Sequence, residues 1–132
     1  MSEENVEIVQ GAVAAYFRGD ERALREVTDP ELTVTTRPDQ PDVRDHRGVD
    51  GLIAFLGEWA EAWADYSFEI LRFRDTGDVV MATARQRGQG KLSGVPIDGE
   101  VTFAFSVRKG KIVRLQMFGF EQQALEALGL AE

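Results

Sequence analysis

His46 is the only histidine among 132 residues, so it is the one side chain whose ordinary pKa lies near neutrality and the best general base on offer. Asp45 precedes it, and a carboxylate can hold an imidazole in one tautomer, although adjacent loop residues rarely turn their side chains toward each other. The plainer alternative is a loop histidine bonded to backbone. Asp39, Asp42, Asp45, His46 and Asp50 bring oxygen and imidazole ligands into one short stretch. Their spacing matches no calcium loop, and the interleaved Arg37, Arg44 and Arg47 neutralise the acids as a solvated loop does, so no metal is expected.

Other chemistry is excluded by residue type. There is no cysteine, which removes thiolate nucleophiles, zinc ribbons and iron–sulfur ligation and is compatible with a reducing cytoplasm. The run Gly88-Gln89-Gly90-Lys91-Leu92-Ser93-Gly94 has the glycines of a phosphate loop but the wrong spacing and no helix after it. No nucleophile-elbow serine or paired-histidine zinc motif is present. A net charge of -8 repels a polyphosphate backbone, so nucleic acid is not an expected partner. The apolar runs fall well short of a membrane span and the N-terminus lacks a signal-peptide pattern, so a soluble cytoplasmic protein is expected.

The aromatic residues suggest a binding wall instead. Trp59 and Trp63 are one helical turn apart and share a stripe with Leu52, Phe55 and Leu56, which serves equally as core packing or as the side of a pocket. Arg85 and Arg87 flank Gln86 on a strand pattern, placing two guanidinium groups on one face and the amide on the other. An outward, solvated placement of the arginines, paired across strands with Glu100, is the expected one. Phe103 and Phe105 share a face of the next strand and should be core or pocket lining.

These residues need elements to hold them. Ser2 with Glu3 and Glu4 reads as a cap and acidic first turn, and Val6, Val9, Val13, Tyr16 and Phe17 follow at helical spacing up to Gly19. Asp20 caps a short second helix from Glu21 to Val27, ended by Asp29-Pro30. Leu32 to Thr36 is β-branched and strand-like; Pro38, Asp39, Pro41 and Asp42 make a polar loop. A third helix begins at Asp50 and carries the tryptophan stripe. From Tyr66 the period changes to two, giving strands around Phe68 to Phe73, Val79 to Arg87, Val101 to Arg108 and Ile112 to Phe120, joined as antiparallel hairpins. Gly88 and Gly90 suit a bulge or bend. A short last helix runs from Glu121 to Leu128. Length and composition suit one domain spanning residues 1–132, and the order of elements predicts an α+β domain with helices on one face of a mostly antiparallel sheet.

Within that order, several strings resemble the SnoaL-like branch of the NTF2-like superfamily. They are Val13-Ala14-Ala15-Tyr16-Phe17-Arg18-Gly19-Asp20, His46-Arg47-Gly48-Val49-Asp50-Gly51, Arg108-Lys109-Gly110-Lys111-Ile112-Val113 and Ala124-Leu125-Glu126-Ala127-Leu128-Gly129-Leu130. The resemblance implies a cone of three N-terminal helices on a curved sheet with a short C-terminal helix, a deep pocket, and a homodimer through the outer sheet surface. Similar domains include ketosteroid isomerases and polyketide cyclases. Their acid/base positions fall here on Ala12, near Thr36 and on Phe120, none of which moves a proton from carbon.

The resulting expectation is a pocket for a small hydrophobic molecule, lined by Tyr16, Phe55, Trp59, Trp63, Phe103, Phe105, Phe118 and Phe120, and no cofactor. It would serve cofactor-free isomerase or cyclase chemistry with His46 as base, or act as a non-catalytic binding or dimerisation module. One conflict is visible in the last strand. The odd-numbered Val113, Leu115 and Met117 cannot share a face with Phe118 and Phe120 unless a bulge intervenes.

Overall fold

The first helix, α1 (Ser2–Phe17), buries Val9, Ala12 and Ala15 along one side. It ends where Gly19 takes a left-handed turn at φ +72° and the Asp20 N–H reaches back to the Ala15 carbonyl, a conformation glycine adopts without strain. Asp20 then caps α2 (Glu21–Glu26), its carboxylate accepting from the Ala23 N–H at 3.1 Å. The computed structural model describes residues 2–35 and 46–130, with the Ser2 and His46 side chains outside that description. The expected polar loop with Asp39, Asp42 and Asp45 therefore lies outside the described residues, as do the Thr36 position and the Ser2 cap.

Strand β1 (Thr28–Thr35) starts earlier than the β-branched run suggests and takes in Asp29 and Pro30. Proline is tolerated there because the pairing with the neighbouring strand is interrupted between Thr28 and Thr33 and no ladder donor is demanded of it. A two-residue strand, β2 (His46–Arg47), pairs antiparallel with β1, setting Val34 opposite His46. Helix α3 (Gly48–Glu61) follows; Asp50 lies in its first turn rather than at its cap, paired with Arg25 at 2.5 Å.

The helix stops two residues before Trp63, which opens strand β3 (Trp63–Asp75). Trp63 is therefore a strand residue, not the last member of the helical stripe. Strands β4 (Val79–Gly90), β5 (Pro96–Arg108) and β6 (Lys111–Phe118) complete a six-stranded sheet in the order β2-β1-β6-β5-β4-β3. All pairings are antiparallel except β1 with β6. This is an α+β domain with the cone-like arrangement of helices on a curved sheet.

Two of the sheet's bulges settle which side chains look inward at the start of β3 and on β6, and a third stands at Leu71 of β3, between Ile70 paired with Ala84 and Arg72 paired with Thr83. The glycines of β4 run in unbroken register with β5, so the bend expected at Gly88 falls instead on β3, between Ala64 and Ser67, where Asp65 has φ 53°. Gly88 answers that bulge: a Cβ there would sit 3.2 Å from both the Ala64 carbonyl and the Trp63 Cβ. The second bulge places Val113 as an extra residue on β6, because Val107 pairs with Ile112 and Ser106 with Arg114. It flips the alternation, so Ile112, Leu115 and Met117 face the first three helices while Phe118 faces the opposite side.

That opposite side carries the last helix, α4 (Glu121–Ala127). Met81, Ala104, Phe118, Ala124 and Leu125 form a separate buried cluster beneath it. The helices are thus split between the faces, three on the inner and one on the outer, rather than all on one.

Candidate functional site

Between α1, α2, α3 and the inner face of the sheet lies a cavity of about 510 Å³. Its wall is almost wholly apolar: Ala12, Val13, Leu24, Leu32, Leu52 and Leu56 from the helices and β1, and Phe68, Ile70, Ala82, Phe103, Phe105 and Leu115 from the sheet. The lining residues of α3 (Leu52, Leu56, Trp59 and Ala60) recur at the helical period, so one stripe roofs the cavity.

Of the polar lining residues, Thr28 donates its hydroxyl to the Leu24 carbonyl at 2.7 Å, and the others are aromatic. Tyr16, Trp59 and Tyr66 all line the cavity, and behind them stands Gln86, which shares an inward-facing row of the sheet with Phe68. The Trp59 indole N–H and the Tyr66 hydroxyl both donate to the Gln86 Oε1, each at 3.0 Å. Burial pushes the Tyr16 phenol above its ordinary pKa. Burial also raises Tyr66, opposed by a hydrogen bond from Trp59 and reinforced by the nearby Tyr16. Both phenols therefore hold their protons at neutral pH.

The eight aromatic residues expected at the pocket divide evenly. Tyr16, Trp59, Phe103 and Phe105 lie on the cavity wall. Phe55 is buried in the main core with Val49 and Leu52 but is absent from the wall. Trp63 packs edge-on against Trp59 at 5.6 Å, off the cavity, because it belongs to β3. Phe118 is buried under α4 on the far face, for the reason of the β6 bulge. Phe120 precedes α4 in extended backbone and is 57% exposed. His46 is placed by its backbone alone, opposite Val34.

Sequence reasoning missed Tyr66 and the inward role of Gln86. The signal was present for Gln86, which is in phase with Ala82 and Ala84; Tyr66 precedes a bulge-shifted register and could not be phased. Arg85 and Arg87 do point outward. Arg85 makes a two-pronged pair with Asp98, at 2.9 and 3.0 Å, rather than with Glu100, and holds the Asp98 carboxyl below its ordinary value. Glu100 pairs instead with Arg72 at 3.6 Å. Among the described residues, no cluster of histidine and acidic side chains could hold a metal, and no helix is long and apolar enough to cross a membrane.

Helices closing an apolar cavity over a curved sheet give an α+β domain of the NTF2-like cone class. The chain belongs to the SnoaL-like domain family, which matches it over residues 9–115. It is similar to an NTF2-like protein from Burkholderia xenovorans LB400, with 27% identity, 96% of each chain covered and a TM-score of 0.74. It shares its fold with TerC, crystallised with polyporic acid, at 17% identity, 95% and 97% coverage and a TM-score of 0.67. The same holds for a ketosteroid isomerase-like fold from Catenulispora acidiphila DSM 44928 in complex with trimethylamine, at 18% identity, 95% and 94% coverage and a TM-score of 0.64. No curated protein matches this chain.

Proposed function

We propose that this protein binds a small, predominantly apolar molecule in the cavity between its helices and sheet. The observation that carries the reading is the cavity itself: about 510 Å³ falls within the roughly 300–1,000 Å³ of ordinary ligand sites, and its apolar wall with a few convergent polar groups is their usual chemistry. TerC and the Catenulispora protein, crystallised with small molecules, support the same use of this fold.

Binding is favoured over proton abstraction. Among the described lining residues there is no carboxylate or imidazole, and the two phenols keep their protons at neutral pH, so neither serves as a base there. His46 is the residue on which an isomerase or cyclase activity would depend. A homodimer through the outer sheet surface belongs to the same proposal, and sedimentation of the native protein tests it.

The test is a thermal-shift screen with small hydrophobic ketones, epoxides and aromatic polyketide mimics, since a ligand that binds only the folded state raises the midpoint. The expected result is a dose-dependent rise in the native protein. A flat response from a folded sample across the whole set overturns the proposal. Ligands that bind are then assayed for turnover with His46→Ala: retained binding and no turnover in either protein is expected, whereas turnover lost in the variant would establish the catalytic reading.

A further inference from the structure

The polar corner of the cavity has a proton arrangement that its hydrogen bonds determine. An indole N–H can only donate, so the Gln86 atom 3.0 Å from the Trp59 Nε1 must be the amide oxygen and not the nitrogen. The Tyr66 hydroxyl lies 3.0 Å from that same oxygen, which has no proton to give. Tyr66 must therefore donate to Gln86, and the oxygen lone pair not turned to the Trp59 N–H is what it offers to the cavity. Tyr16 differs. Its hydroxyl has no hydrogen-bond partner among the described residues, so its proton is uncommitted. Both rings line the same cavity, linked through Phe17 and Phe68 by ring contacts of 5.5, 5.7 and 6.4 Å, and Tyr16 is near enough to perturb Tyr66 electrostatically.

Resting on the ligand-binding reading above, we infer that the site selects ligands whose polar end is a hydroxyl, an alcohol, phenol or enol, which accepts from Tyr16 and donates to Tyr66. A ketone satisfies only Tyr16 and an ether likewise, since neither donates to the remaining lone pair of Tyr66. A charged end is disfavoured, because among the described residues no charged side chain lines the wall and a lone ion would lose its hydration there without compensation. Gln86 is the positioning residue: it touches no ligand but decides which way the Tyr66 proton points.

The experiment is calorimetric titration of the native protein with four matched bicyclic probes: tetralin, 1-tetralol, 1-tetralone and 1-methoxytetralin. One well-placed extra hydrogen bond is worth about 1 kcal/mol, so 1-tetralol should bind roughly five- to tenfold more tightly than the ketone or the ether. Tyr66→Phe should erase most of that preference, whereas Tyr16→Phe should weaken alcohol, ketone and ether alike and leave the preference in place, with tetralin as the apolar control. Gln86→Leu releases the Tyr66 proton toward the cavity, so the tetralone-to-tetralol ratio should move several-fold in favour of the ketone, a shift that a merely structural role for Gln86 does not produce. Equal binding of alcohol and ketone by the native protein overturns the inference, as does an unchanged ratio in folded Gln86→Leu. Failure of all four probes, tetralin included, overturns the ligand-binding reading itself and this inference with it.

Discussion

The two faces of the sheet use similar residues for opposite ends. On the outer face, Phe118, Met81 and Ala104 are closed over by Ala124 and Leu125 of α4 with essentially no exposed surface, and Arg72 and Arg74 clamp the first residue of that helix, Glu121, at 3.6 and 3.2 Å. On the inner face, three helices and a larger set of apolar side chains enclose the sheet but leave about 510 Å³ unfilled. An unfilled apolar volume forgoes the dispersion contacts that a close-packed interior makes. The small cluster under α4 is therefore packed shut, and the inner face keeps an unfilled volume. Stability and binding are separable to the extent that the sheet keeps these two faces independent.

The largest expected effect tests the filled side. Phe118→Ala should cost about 3–5 kcal/mol in urea unfolding, as other buried aromatic truncations do, while ligand affinity measured where the variant is folded stays close to native. A cost under about 1 kcal/mol would mean that α4 packs loosely and the contrast is wrong. Next comes the open side. Ala60→Phe projects a ring from α3 into the cavity and should reduce binding at least tenfold. Its stability should change by less than about 1 kcal/mol, because overpacking penalties apply to filled cores. Glu121→Gln weakens the two-arginine clamp, and since both arginines are substantially solvated the loss should be about 1 kcal/mol, read by thermal melting with no change in ligand affinity.

The smallest effect lies away from both faces, at the cap of α2. The Ala23 N–H, together with Arg18, holds Asp20 below its ordinary value of 3.8. A carboxyl whose folded pKa is lowered adds stability that is fully present above the ordinary value and is lost as pH falls through the folded one. Asp20→Asn should therefore flatten the acid limb of the stability profile below about pH 4, by a small loss of stability at neutral pH and convergence with the native protein in acid. An identical acid limb in the variant would show that the cap does not titrate with folding.

Much of the fold was legible in the residues. Period-two runs marked β3 to β6, Asp20 and Gly19 marked the α1–α2 corner, and the four quoted strings marked the family. What escaped was mostly phase. The odd and even residues of β6 announced a conflict that a bulge could resolve, yet nothing local to Val113 said that the bulge stands before Leu115 and sends Phe118 outward. Trp63 fits the helical stripe by spacing but falls in β3, because α3 ends at Glu61 with Ala62 as its cap.

By itself the sequence determined the class of fold, the apolar character of the interior and the scarcity of titratable side chains, since these follow from residue type and local period. Only the tertiary structure decided which aromatics meet at the cavity and that Gln86 joins Trp59 to Tyr66. Those contacts join α3 and β3 to β4 across 27 and 20 residues of chain, and bulges set the phase of the strands; side-chain direction at such distances depends on the pairing of whole strands, which no single segment encodes.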